Sequence, residues 1–204
     1  PAFYEGCTEH LAEVQAILDT PGAATFENTI VALEKSGQYL GRMMRVFYNK
    51  SSSDTNDALD TIEEEIAPKL AAHQDAISLN PVLFKRIKDL YDARESLGLN
   101  SEDAWLLERY YKDLIHKGAH LTEAQRERLK ELNEELSSLQ TQFSKNVLAD
   151  TNDLAVLVDT AEELDGLSEN QIAAAKAAAI DRGHDDKWLI GMVNFTGNPV
   201  LDAL

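Results

Sequence analysis

Apolar residues recur three or four positions apart over most of the chain, and this spacing constrains the fold more than any other feature. The stretch ATFENTIVALEKSGQYLGRMMRVF, residues 24–47, gives the longest example. Its apolar or small positions are Phe26, Ile30, Leu33, Gly37, Leu40, Met44 and Phe47. Such a period places side chains on one face of an α-helix. We therefore expect a mainly α protein, a bundle of long antiparallel helices.

Two glycines, Gly37 and Gly41, lie in the middle of this stretch. A turn at Gly37 would normally reset the phase of the apolar positions, and the phase does not slip. The spacing therefore predicts one continuous helix over residues 26–49, with another helix approaching closely at the two glycines. The alternative is two short helices, with Gly37 as the C-terminal cap of the first.

The same spacing and the capping residues predict the other helices. The first helix is expected to end at TPG, residues 20–22. A later helix, capped by Ser53 or Asp54, contains Pro68 and is expected to kink or break near Ile66. Further helices begin at Asn80-Pro81, at Asn100 or Ser101, and at the capping box Thr122–Gln125. The last of these helices has the apolar stripe Leu129, Leu132, Leu136, Leu139, Phe143 and Val147.

The pattern changes after Asp150. LAVLV (residues 154–158) and KWLIGMVNF (residues 187–195) are typical of strands, and a capping box at Ser168 opens an alanine-rich helix between them. We expect a helical N-terminal region at 1–150 and a small strand-helix-strand lobe at 151–204, a two-stranded α/β unit with strands parallel through one crossover or antiparallel. NPVLDAL, residues 198–204, resembles a helix start, so we expect this lobe to be truncated at its C-terminal end.

The charge balance disfavours nucleic acids as partners. The chain has 36 Asp and Glu against 19 Lys and Arg, a net charge of −17, which disfavours binding to phosphate backbones. Its single cysteine, Cys7, excludes an internal disulfide. No apolar run is long enough to span a membrane. We expect a cytoplasmic protein, or a periplasmic one if a leader was removed, since the chain begins without methionine.

Candidate chemistry is sparse. The chain lacks the H-E-x-x-H, G-x-S-x-G and Walker patterns. His10 and Glu13 have a usable metal-ligand spacing without a third ligand nearby, so we expect an exposed polar pair. His73 lies on an apolar stripe and should be half-buried and hydrogen-bonded, whereas His116 and His120 flank Gly118 and need not share a face. Trp105, Tyr110 and Tyr111 are expected to pack between helices. The residues therefore assign no catalytic and no metal-binding residue, and they leave any substrate-binding residues undetermined.

Several longer motifs resemble one enzyme family. TFENTIVALEKSG, residues 25–37, resembles a signature of the thimet oligopeptidase-type zinc metallopeptidases. EIAPKLAAHQDAISLNPVLF (residues 65–84), with TND at 55–57, resembles the bacterial peptidyl-dipeptidase Dcp branch of that family. LNEELSSLQTQFSKNVL (residues 132–148) and ELDGLSENQI (residues 163–172) also fit the branch. The resemblance covers essentially the whole chain, in order.

The resemblance implies a large helical peptidase whose two halves surround a deep channel. Zinc would be held in the C-terminal half by H-E-x-x-H and a further Glu, and C-terminal dipeptides would be released from oligopeptides. This chain would be an N-terminal channel-wall fragment without zinc and inactive by itself. Its partners would be oligopeptide substrates and the catalytic half, which should dock on an exposed apolar face. The alternative is a self-contained helical peptide-binding or scaffold protein without catalysis.

Overall fold

The structure of the protein, a computed structural model, describes residues 1–191. Its α-helices are α1 (Ala2–Leu18), α2 (Ala32–Lys35), α3 (Gln38–Ser53), α4 (Asp57–Ser78), α5 (Pro81–Asp92), α6 (Ser101–His116), α7 (Glu123–Asp153) and α8 (Glu169–Asp181). A π-helical turn (Phe26–Val31) leads into α2, and the strands are β1 (Val156–Val158) and β2 (Trp188–Ile190). The expected mainly α fold, with a small two-stranded unit late in the chain, is confirmed.

The chain forms two compact units, Pro1–Thr141 and Gln142–Leu204. The predicted division into regions 1–150 and 151–204 stays a prediction. In the first unit, the principal core surrounds Ile30, Ile87 and Leu107, which have no exposed surface. These residues come from the π-helical turn, α5 and α6, which pack against one another. A second cluster of Phe3, Leu40, Met44 and Ile66 joins α1, α3 and α4.

The prediction of one helix over residues 26–49 is wrong. The helix ends at Lys35, Ser36 is extended, and Gly37 adopts a left-handed φ of 68° before α3 begins. The alternative, a break at Gly37, is what the structure has. The periodicity persists because apolar residues before the break enter the principal core, whereas those after it enter the second cluster. A pattern of spacings does not reveal which core a residue joins.

The predicted close approach at Gly41 is also wrong, since no atom lies within 4 Å of the position that a Cβ would take there. At Gly37, by contrast, α1 does approach closely through the His10 side chain, and the backbones of α1 and α3 come close at Gly6 of α1. A Cβ at that position would lie 3.2 Å from the Cα of Leu40 in α3. A side chain at Gly6 would therefore push α1 away from α3.

Asparagine side chains begin several of the other helices. Asn80 and Asn100 cap α5 and α6 as predicted, and their amide oxygens accept hydrogen bonds from backbone N–H groups of the first turn. The cap of α4 is Asn56, not Ser53 or Asp54, because α3 extends through Ser53. Pro68 lies inside α4, which continues through it without the predicted break.

The second unit pairs β1 with β2 in antiparallel fashion, Leu157 lying opposite Leu189. Ser168 forms the predicted capping box with Gln171 at the start of α8. A small core of Leu164, Leu167 and Ala175 lies beside the strands. The predicted helix start at residues 198–204 lies outside the described residues.

None of the helices within residues 1–191 combines the length and the apolar character that crossing a membrane requires.

Candidate functional site

The residues of the family signature, 25–37, have structural roles. Thr25 and Asn28 form a capping box, in which the Thr25 N–H donates to Asn28 Oδ1 (2.9 Å) and the Asn28 N–H donates to Thr25 Oγ1 (3.1 Å). Thr29 and Ile30, which follow, are fully buried. The capping box therefore fixes the start of the turn that places Ile30 in the principal core.

Arg86 of α5 ties this turn to the rest of the unit. Its guanidinium donates to Asn28 Oδ1 at 3.1 Å and to the Thr20 carbonyl at 3.3 Å. One side chain thus joins α5 both to the loop that follows α1 and to the π-helical turn. A planar guanidinium with several fixed donors suits such a junction.

The end of the signature is held by a relay of polar side chains from α1 and α4. His10 Nδ1 lies 3.0 Å from His73 Nε2, and His10 Nε2 lies 3.3 Å from Ser36 Oγ. Glu13 Oε2 accepts the N–H of Gly37 at 2.6 Å. His10 and Glu13 are therefore an interhelical, partly buried pair, and the prediction of an exposed pair is wrong. The predicted burial of His73 is confirmed.

The hydrogen bonds decide the tautomers of both rings. The Ser36 hydroxyl donates its one proton to the Leu33 carbonyl (2.7 Å), so its oxygen must accept from His10 Nε2. In a neutral His10 ring, Nδ1 then accepts from His73 Nε2, which leaves His73 Nδ1 as a buried acceptor without a partner among the described residues. Burial lowers the pKa of His10, against the attraction of Glu13, and burial with the nearby His10 lowers the pKa of His73. These hydrogen bonds and the burial therefore favour the neutral form of both histidine rings.

Acidification should therefore destabilise the first unit. Below the ordinary histidine pKa of about 6.5, the unfolded chain binds protons that the folded rings resist, so the free energy of unfolding falls with pH. The loss begins near this value and levels off below the folded-state pKa values. Urea unfolding between pH 7.5 and 5.5 should show a weaker pH dependence in His73→Gln than in the wild type. His120→Gln, at an exposed position outside the relay, is the control and should keep the wild-type dependence.

A cleft of about 520 Å³ lies between α4 and α7 in the first unit. Asp75 of α4 is buried in its wall, and both carboxylate oxygens accept from the Asn133 amide of α7, at 3.0 and 2.9 Å. Gln74, Ser137 and Gln140 add further amide and hydroxyl groups. This lining offers donors and acceptors to a peptide backbone, which carries both in every residue.

His116 lines the cleft, whereas His120 is not among the lining residues. Within residues 1–191, no group of three or more His, Cys, Asp or Glu side chains could hold a metal ion. The described residues therefore do not fit a zinc centre. The arrangement can bind polar groups, and we assign it no proton transfer or nucleophilic step.

The predictions for the aromatic residues are confirmed for Tyr110 and Tyr111 and wrong for Trp105. Tyr111 stacks on Tyr91 with ring centroids 4.1 Å apart, and Tyr110 donates to Glu34 at 2.7 Å while packing against the core, as predicted. Trp105, however, is 61% exposed, so the prediction that it packs between helices is wrong.

Sequence reasoning missed Asp75 and Asn133. A signal for Asp75 exists, because Ala67, Ala71 and Ser78 form a small-residue flank of α4 in phase with it. Small residues at helical spacing mark a face that another element can approach. Nothing comparable marks Asn133, which lies among other polar residues of α7.

Comparisons with known proteins show which proteins the chain is similar to. No protein-family model matches it. The dipeptidyl carboxypeptidase of Escherichia coli strain K12 is 40% identical over 98% of this chain and 30% of its own length. The dipeptidyl carboxypeptidase of Salmonella typhimurium is 37% identical over 100% of this chain, again 30% of its own length.

Oligopeptidase A of Escherichia coli strain K12 is 27% identical over 88% of this chain and 26% of its own length. The chain thus spans about 30% of the length of the dipeptidyl carboxypeptidases that it matches. The resemblance of its motifs is confirmed: over nearly its whole length, this chain is similar to the dipeptidyl carboxypeptidases and, at lower identity, to oligopeptidase A.

Proposed function

We propose that this chain is the N-terminal channel-wall portion of a zinc peptidase that releases C-terminal dipeptides from oligopeptides. The observation that carries the proposal is the 40% identity to a dipeptidyl carboxypeptidase, which extends over 98% of this chain but only 30% of that relative. The active site, with its zinc, would lie in a part of the full-length protein outside this chain. A location in the cytoplasm, or in the periplasm if a leader is removed, belongs to the same proposal.

The geometry of the first unit supports a binding role rather than a catalytic one. The lining of the α4–α7 cleft combines amides, hydroxyls and the buried Asp75 carboxylate with apolar side chains such as Leu70, and its residues do not fit a zinc centre. Such a wall would contact the backbone of a flexible peptide and leave the chemistry to the other part. Zinc, where bound, would activate water for hydrolysis.

The full-length protein that contains this chain provides the test. We expect it to release dipeptides from the C-terminus of an N-blocked oligopeptide, to lose this activity with a chelator and to regain it with zinc. Residues 1–204 expressed separately should release none in the presence of zinc, with helical circular dichroism as the control that they are folded. Mass spectrometry of the products identifies the bond that is cleaved.

Each of the other outcomes has a distinct meaning. Chelator-sensitive turnover by residues 1–204 would contradict the assignment of a non-catalytic wall. A full-length protein that binds oligopeptides without cleaving them would support the self-contained binding protein instead.

A further inference from the structure

Helix α7 lacks the buried face that a 31-residue helix in a compact protein normally has. None of its residues is buried within the part of the chain that the structure describes. Leu132, Leu136 and Leu139, which we name the α7 stripe, are 44%, 51% and 58% exposed. Phe143 follows at the same spacing and is 69% exposed. Scattered exposed apolar residues are ordinary, but a continuous row along one helix marks an interaction surface.

The side of α7 that faces α4 is mainly polar, although Leu129 and Leu136 also line the cleft there. Asn133 bonds to Asp75, and Ser137, Gln140 and Thr141 line the same cleft. At about 100° per residue, these four positions lie on one flank of the helix, and the α7 stripe lies on the neighbouring flank. The helix thus turns mainly polar groups toward its neighbour, and Leu132 and Leu139 of the α7 stripe face water outside the cleft. This is the reverse of an amphipathic helix that has found its full set of partners.

We propose that the α7 stripe is covered in the full-length protein by apolar side chains from the part that lies outside this chain. The inference rests on the proposed function, because it requires that such a part exists. Its relatives carry about 70% of their length beyond the matched segment, which is ample chain to cover one helix face. A second copy of the chain fits less well, since two surfaces of net charge −17 would have to approach each other.

Thiol labelling of the full-length protein tests this assignment. Leu136→Cys places a thiol on the α7 stripe, and Ser138→Cys places one about 200° around the helix, at an exposed polar position. Both substitutions fall in one tryptic peptide, residues 131–145, between Lys130 and Lys145. The rate of maleimide modification can therefore be read by mass spectrometry from the same peptide, whatever other cysteines the protein contains.

In the native protein, we expect the Leu136→Cys thiol to react at least about tenfold more slowly than the Ser138→Cys thiol. In urea, the two rates should become equal. Equal rates in the native protein would overturn the proposal. Protection that disappears on dilution would overturn it too, because it would identify a second copy as the cover. Leu139→Cys, at a stripe position that does not line the cleft, should show the same protection and repeats the test should Leu136→Cys fail to fold.

The labelling result does not depend on catalysis. A protein that protects the Leu136→Cys thiol but releases no dipeptide would refute the proposed activity and keep the docking surface. A protein that releases dipeptides while the α7 stripe reacts freely would do the opposite.

Discussion

Replacing Gly37 with alanine should lower the free energy of unfolding by about 2–4 kcal/mol. Gly37 has a left-handed φ of 68°, a conformation that costs an L-residue roughly 1–2 kcal/mol. A Cβ would also lie 2.7–2.8 Å from three ring atoms of His10. That ring cannot simply move aside, since it is bonded to both Ser36 and His73. Urea unfolding followed by circular dichroism measures the difference.

Gly41 provides the matched control, four residues further along the chain. It lies inside α3, has no positive φ, and has open space where a Cβ would be. Gly41→Ala should raise the free energy of unfolding by about 0.5–1 kcal/mol, because alanine loses less conformational entropy in a helix. If both variants changed stability in the same direction, the break at Gly37 would be the wrong description of this segment.

Shortening Ile30 to alanine should cost about 2–4 kcal/mol of unfolding free energy. Ile30 has no exposed surface and lies in the principal core, so the substitution removes buried methyl groups and leaves a cavity. The capping box of Thr25 and Asn28 holds the turn in place, which limits how far the backbone can close that cavity. The midpoint of urea unfolding should fall accordingly.

Val46→Ala is the control, since Val46 is 71% exposed on α3. Its effect should stay within about 0.5 kcal/mol of the wild type. A cost for Ile30→Ala as small as that of Val46→Ala would mean that the signature does not enter a packed core.

Local features of the fold were predictable where a few neighbouring residues decide them. Three such features depend on interactions within four residues: the Asn80 cap before Pro81, the capping box at Ser168 and the strand that contains Leu157. The cap of α4 was missed by two residues, because nothing local decides whether Ser53 ends one helix or begins the next.

The candidate site was less predictable, because its contacts join distant parts of the chain. His10 and His73 are 63 residues apart, and Asp75 and Asn133 are 58 apart. In its local sequence, each of these residues looks like an ordinary polar residue on a helix. Only the packing of α1, α4 and α7 shows which of them meet. The break at Gly37 was missed for the same reason, since the two sides of it pack into different clusters.

The relay at Gly37 also has a consequence for the order of folding. The N–H of Gly37 is satisfied by Glu13 of α1, and the ring that shields it is bonded to His73 of α4. An excised peptide of residues 24–53 contains neither group, and a growing chain that has reached residue 53 contains Glu13 but not His73. Nothing in the peptide therefore compensates for the left-handed backbone. In such a peptide the unbroken apolar period favours helix through residue 37. The turn at Gly37 is then a late, cooperative step, completed only when three segments have come together, the outermost of which, at His10 and His73, are 63 residues apart.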